Sequence, residues 1–326
     1  MTQEYRLQDG GRIDRSKPLH FTFDGRQYTG YRGDTLASAL LANGVRLLGR
    51  SFKYHRPRGL IASGSEEPNA LMQLETGAYT EPNTRATCIE LYDGLVASSQ
   101  NRWPSLAFDV GAINSVVARF LPAGFYYKTF MWPASMWMTY EKFIRKAAGL
   151  GVSPVEQDPD NYHSTYAHCD VLIVGAGPAG LSAANAASAS GARVIVLDEN
   201  CEFGGSLLGT SGNTSAHEFI DKSVRSLEEN ENVTLLTRTT ATGYYDYNYI
   251  TALEKVTDHL GPGNGGSAPR QRFWKIRAKQ VVIATGSIER PLVFADNDRP
   301  GVMLANAVMC YINRYGVLPG LSLIHI

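Results

Sequence analysis

The sequence predicts an α/β protein in two parts: a small sheet that grips one helix, then a larger parallel sheet wound with helices. Three observations predict it. Residues 19–31, LHFTFDGRQYTGY, read as two short strands around Asp24-Gly25, a dipeptide that closes tight hairpins because both residues tolerate positive φ. A helical run, TLASALLANG, follows at 35–44 with its own start and stop residues. From Cys169 an apolar run, a glycine-rich turn, an Ala-rich run and a second apolar run succeed one another, the order strand, turn, helix, strand.

In chain order, Met1 to about Lys17 is polar and reads as an arm, flexible or held by a partner. After the hairpin, Asp34 or Thr35 is placed to cap the helix and Asn43-Gly44 to end it. NALMQLE and ATCIELYDGLVASS supply further strands up to about Ser99. Strand, hairpin, helix, long loop and strands is the order of a ubiquitin-like sheet, assigned to residues 1–105. Residues 106–168 form an aromatic-rich connector. Its most apolar stretch, FLPAGFYYKTFMWPASMWM at 120–138, is interrupted by Pro122, Lys128 and Pro133. That falls short of the roughly 18 clean apolar residues a membrane span requires; it reads as a surface packed on another domain or subunit. Met136, Tyr140, Phe143, Ile144 and Ala147 keep helical spacing in the following run. GVSPVEQDPDNYHSTYAH then reads as a linker, with His163 and His168 as polar loop residues.

Residues 169–326 carry the second part. CDVLIV is apolar throughout, as a parallel strand covered on both faces should be. Gly175 permits a tight turn, Gly177 lets a pyrophosphate approach the backbone, and Gly180 lets helix and strand pack closely. Free N–H groups at the helix start would hold the phosphates. The second strand, VIVL, ends at Asp198, where an acid can accept ribose hydroxyls. With strand, helix, second strand and terminal acid all in place, the turn reads as a dinucleotide site. EFGGSL adds a second glycine loop with Ser206 near the phosphates, and NVTLLTRTTATGYYD a third parallel strand leading into a meander, with the backbone near Ala241 beside the adenine. RFWKIRAKQVVIATG ends a further strand at Ala284-Thr285-Gly286, and GPGNGGSAP at 261–269 is a long turn.

Composition sets limits. Lys+Arg and Asp+Glu both number 31, giving zero net charge, which argues against a general nucleic-acid binder. Cys88, Cys169, Cys201 and Cys310 lie far apart without C-x-x-C; that fits a reducing cytoplasm and supplies no zinc knuckle. The opening residues lack the apolar core of a secretory signal. Cys201 has no second cysteine four or five residues on, so a redox-active disulfide is not expected. Arg50, Lys53, His55, Arg56 and Arg58 form a basic run, either a solvated face or an anchor for an anion or partner.

GAGPAGLSAA, VIVLDE, the GGS loop and VVIATGSIERP resemble the two-dinucleotide-fold flavoproteins. RSFKYHRPRGLIASGSEEPNAL, LPAGFYYKTFMWP and RPGVMLANAVMCYINRYGVLPG further resemble the alpha-subunit family of heterotetrameric sarcosine oxidases. The likeness covers nearly the whole chain. It implies an N-terminal ferredoxin-like (β-grasp) domain followed by a partial FAD/NAD(P)-binding Rossmann-type domain, the chain being an N-terminal piece of a longer subunit. It implies NAD in this chain, with FAD on a beta subunit and FMN at the alpha–beta interface. Gly175, Gly177, Ala179 and Gly180 would surround the pyrophosphate. Asp198, Glu199 and Asn200 would face the adenosine ribose, with Ser206 nearby and Ala241 at the adenine. Beta, gamma and delta subunits are the implied partners. Sarcosine would be oxidised to glycine with O2 reduced to H2O2, and the one-carbon unit would pass to tetrahydrofolate. Related dehydrogenases place an Fe–S cluster in the ferredoxin-like domain, which needs closely spaced cysteines; KYHRPRGLIASGSEEPNAL contains none, so no cluster is expected. No catalytic acid, base or nucleophile for amine oxidation and no metal site is expected here. The alternatives are a subunit of an FAD-dependent amine, opine or N-methylglutamate dehydrogenase, or a non-catalytic scaffold stabilised by a nucleotide.

Overall fold

A computed structural model describes residues 3–120, 132–212 and 215–320. The first sheet has the order β2-β1-β7-β5-β6. Strands β1 (Asp14–Phe23) and β2 (Arg26–Arg32) form the expected hairpin, with Asp24 at φ 47° and Gly25 at φ 76°. Helix α1 (Leu36–Ala42) starts at Thr35, whose side chain accepts from Ser38 N while Ser38 Oγ accepts from Thr35 N. This reciprocal cap satisfies two otherwise orphaned donors. All seven residues of α1 are buried. Short strands β3 (Gly49–Arg50) and β4 (Pro57–Arg58) pair in the long loop, and β5 (Leu71–Leu74), β6 (Glu81–Arg85) and β7 (Leu95–Ser99) complete the sheet. β7 runs parallel to β1 in the middle of the sheet. This is a β-grasp fold.

Helices α2 (Ile113–Val116) and α3 (Trp137–Ala147) lie in the connector. Most of the aromatic stretch expected to pack on a partner lies outside the described residues. No described helix is long and apolar enough to cross a membrane.

The second sheet has the order β10-β9-β8-β13-β12-β11. Its parallel part is β10 (Val233–Leu236), β9 (Val194–Leu197), β8 (Tyr162–Val174) and β13 (Gln271–Ile283); β11 (Thr239–Tyr245) and β12 (Tyr249–Lys255) add an antiparallel meander on β13. Helices α4 (Pro178–Ala189) and α5 (Ser215–Glu228) pack together and cover the parallel strands through Leu181, Ala184 and Leu227. The glycine-rich segment after β12 is a turn, as expected.

Three features differ from the sequence reading. β8 begins at Tyr162, so His163 and His168 stand in a strand and not in a linker. The first half of β13 requires a partner ladder, and the pairing runs unbroken in direction from Gln271↔Tyr162 to Ile283↔Val174. The N-terminal arm is held by the chain itself: Tyr5 N donates to Ala42 O and Leu7 N to Gly316 O. Arg6 forms an ion pair with Asp34, the two side chains 6% and 0% exposed. Finally, helix α6 (Ala305–Asn313) and the turn after it enter the β-grasp core, where Tyr311, Tyr315 and Val317 are buried in one cluster with Leu36 and Leu40. Tyr311 OH donates to Ala62 O at 3.1 Å and Leu304 N to Ile61 O at 2.8 Å, which ties this segment to the long loop of the β-grasp part.

Candidate functional site

The glycine turn lies between β8 and α4. Gly175 has φ +94°, and a Cβ there would lie 2.5 Å from Ala284 O. The turn is therefore pressed against the end of β13, where Ala284 N donates to Val174 O. A Cβ on Gly180 would lie 1.9 Å from Gly175 O, so helix α4 can sit this close only with glycine. Gly177 is different: its Cβ would meet nothing nearer than Gly205 Cα at 3.9 Å. Two glycines are thus required by packing, and the third leaves a cradle open above the helix start. Gly177 is the N-cap and Pro178 occupies the first turn, with no side chain capping the end. The amides of Ala179 and Gly180 precede the first intrahelical bond, Leu181 N to Gly177 O, and are the donors such an end offers to an anion.

The second glycine loop closes on the first. Gly204 N donates to Ala176 O at 2.8 Å, and a Cβ on Gly205, at φ +54°, would lie 2.8 Å from Gly177 Cα. Ser206 is exposed beside this contact.

At the end of β9 the three polar residues do different things. Asp198 is buried: its Oδ2 accepts from Ala176 N at 2.8 Å, and its Oδ1 from Asn200 N and Nδ2 at 2.9 and 3.0 Å. Three of the roughly four acceptor positions of a carboxylate are taken within the chain. Asp198 therefore ties the glycine turn to the strand end, and Asn200 is bound to Asp198. Glu199 is exposed, and its Oε1 accepts from Ser65 Oγ at 2.9 Å, while Oε2 has no hydrogen bond among the described residues. Thr239 N donates to Asp198 O and Arg238 N to Asn200 O, which places β11, with Ala241 two residues on, directly beside this corner. Arg238 itself turns away to a two-pronged ion pair with Glu90 of the β-grasp part, at 2.5 and 2.8 Å.

The structure thus brings Gly175, Gly177, Ala179, Gly180, Ser206, Asp198, Glu199, Asn200 and Ala241 to one end of the parallel sheet. Ser65 and Glu90 were not legible in the sequence, because each contact joins residues more than a hundred positions apart.

Two members of the basic run, Arg56 and Arg58, form ion pairs within the chain. Arg56 binds Asp298 and Asp296, and Arg58 binds Asp298 at 2.9 Å. Arg56 holds the Asp298 carboxyl below the usual carboxylate range. Arg50 donates to Leu106 O, and His55 Nδ1 lies 2.6 Å from Asp109 Oδ2. All four cysteines are free; burial pushes the Cys201 thiol up to about 11 and the Cys88 thiol upward as well. Such thiols are poor nucleophiles at neutral pH. Among the described residues no cluster of three or more His, Cys, Asp or Glu is placed to hold a metal ion.

Comparison with known proteins follows the same division. Residues 16–102 match the family described as a 2Fe-2S iron-sulfur cluster binding domain, and residues 169–313 the family described as pyridine nucleotide-disulphide oxidoreductase. A 2Fe-2S cluster takes four thiolates, and residues 16–102 contain one cysteine, Cys88; the residues present do not fit a cluster held in that way. The chain is 56% identical to sarcosine oxidase subunit alpha of Rhizobium meliloti (strain 1021), over 97% of this chain and 32% of that protein. It is 41% identical to the subunit of the same name from Corynebacterium sp. (strain U-96), over 95% of this chain and 28% of that one. The chain therefore spans about a third of the length of these relatives. Among solved structures, L-proline dehydrogenase from P. horikoshii matches with a TM-score of 0.62 at 21% identity, covering 98% of this chain and 50% of that one, a likeness of fold.

Proposed function

The chain is a relative of the sarcosine oxidase alpha subunits over nearly its whole length, and from this we propose that it is the dinucleotide-binding part of such a subunit. The observation that carries the proposal is the open cradle at Gly177, the one glycine of the turn with room in front of it. Gly177, Ala179 and Gly180 would hold the pyrophosphate, Glu199 the adenosine ribose, and the β11 backbone at Ala241 the adenine. We assign NAD to this site: a 2′-phosphate would meet the Glu199 carboxylate, which disfavours NADP. When bound, the nicotinamide could accept or donate a hydride, or the nucleotide could serve structure alone.

In this reading the chain binds and orients, and bond-making at the amine happens on other chains. Asp198 keeps the glycine turn in the shape that presents its amides. Gly205, lacking a side chain, lets the second loop close on Gly177. FAD on a beta subunit and FMN at the alpha–beta interface would carry the oxidation of sarcosine to glycine and the reduction of O2 to H2O2. The one-carbon unit would leave on tetrahydrofolate.

The test is mass-spectrometric identification of the nucleotide released on denaturing the purified complex, beside the same complex carrying Gly177→Ala. The methyl group enters the cradle without touching the fold, so the variant is expected to fold normally and lose NAD while FAD and FMN remain. Loss of FAD instead, with no NAD present, makes the chain a flavoprotein subunit and overturns the NAD assignment.

A further inference from the structure

The loop at 61–67 of the β-grasp part is fixed from several sides. Glu67 is fully buried, and its carboxylate accepts from Ile61 N, Ala62 N and Asn69 N, each at 2.8 Å. Thr87 Oγ1 donates to Gly64 O at 2.7 Å, Tyr311 OH to Ala62 O at 3.1 Å, and Leu304 N to Ile61 O at 2.8 Å. From this anchored loop Ser65 reaches across to the other sheet and donates to Glu199 Oε1. Glu199 is the carboxylate left open at the end of β9, because Asp198 is engaged by Ala176 and Asn200.

We propose that Ser65 is a positioning residue of the dinucleotide site, holding one oxygen of Glu199 so that the other is presented to the adenosine ribose. The inference rests on the dinucleotide reading above. A free glutamate on an exposed strand end samples several rotamers, and fixing it before the ligand arrives removes part of the ordering cost of binding. The β-grasp part is then one wall of the nucleotide site and not only an appended module. Ser65 also selects: with Oε1 held, the carboxylate cannot swing aside to admit a phosphate on the 2′-oxygen.

The experiment is calorimetric titration of the complex, stripped of nucleotide, with NAD, with NADP and with 2′-deoxyadenosine NAD. Ser65→Ala is expected to weaken NAD about five- to tenfold, the equivalent of one ordinary net hydrogen bond. Ser65→Thr restores the affinity, and the thermal midpoint of the nucleotide-free protein does not move. The deoxy analogue, which lacks the hydroxyl, should be nearly indifferent to Ser65→Ala, and in a Glu199→Gln background the Ser65 effect should shrink. NADP discrimination should fall in Ser65→Ala. An NAD affinity within twofold of the unsubstituted complex overturns the role of Ser65 while leaving the dinucleotide site intact. An equal loss for NAD and its deoxy analogue overturns it too. Failure of the unsubstituted complex to bind NAD overturns the underlying reading instead.

Discussion

Removing the Arg6 guanidinium should be among the most damaging single changes in the β-grasp part. Its two terminal nitrogens face Asp34 Oδ1 and Oδ2 at 3.1 and 2.6 Å, and the same group donates to Tyr315 O at 2.7 Å and Gln3 Oε1 at 2.6 Å. Breaking a buried ion pair by deleting one partner costs about 3–5 kcal/mol, because the remaining charge is stranded. Asp34 would keep two donors, Tyr31 N and Ser38 Oγ, so Arg6→Ala belongs near the lower limit, at about 3 kcal/mol. With roughly 2–4 °C per kcal/mol for a chain of this order of size, the melting temperature should fall by about 6–12 °C. The assay is thermal and urea unfolding followed by tryptophan fluorescence, run with Arg6→Ala, Asp34→Asn and the double variant. The double variant should lose less than the sum of the singles, since neither charge is then left alone. A loss under about 1 kcal/mol for Arg6→Ala, or strict additivity, refutes the account of this pair.

Two further outcomes follow from the site and its supporting loop. Gly180→Ala places a Cβ against Gly175 O, a backbone atom that cannot rotate away, so α4 must move; about 1–3 kcal/mol of stability and the bound nucleotide should be lost together, against nucleotide alone for Gly177→Ala, in paired melting and release assays. Burial raises the Glu67 carboxyl above the usual carboxylate range, although three backbone N–H groups pull it down. A raised carboxyl means that the folded state keeps its proton longer than the unfolded chain. Its contribution is therefore full below the unfolded pKa and declines as pH rises through the folded one. Glu67→Gln should abolish that decline while costing about 1–3 kcal/mol at neutral pH, its amide facing the Asn69 N–H. The stability gap between the two proteins should narrow from pH 4 to 7 in urea titrations; a widening gap contradicts the sign.

What could be read from the sequence was what is encoded within a few residues. The Asp24-Gly25 turn, the Thr35 cap, the β8–α4–β9 unit and the meander after β10 all have local signatures, and each stands where it was expected. The site was legible to the same extent: the glycines and the acid at the strand end follow from spacing alone. The division of labour between Asp198 and Glu199 was not, because it depends on which carboxylate meets the Ala176 amide once the turn has formed. Nor could Ser65 be found, since nothing in SGSEE distinguishes a loop serine from one that reaches a residue in the other sheet. Nor could the partners of Arg56 and Arg58 in the basic run be read, since Asp296 and Asp298 lie some 240 positions away. The start of β8 at Tyr162 is fixed by the reach of β13 and not by any hydrophobic pattern of its own.

The place of Tyr311, Tyr315 and Val317 in the core around α1 has a bearing on how the chain is made. On the ribosome, the strands and helix of the β-grasp part emerge long before the residues that finish their core. About two hundred residues separate the end of that part from α6, and at ~5–20 residues per second this is an interval of about 10–40 s. Throughout it, the cluster that Leu36 and Leu40 will share with Tyr311 is incomplete and open to water or to whatever holds nascent chains. The dinucleotide-binding unit is synthesised in that window, so its own sheet can close first. The N-terminal module would then be the last to become watertight, sealed when Val317 pairs with Arg6.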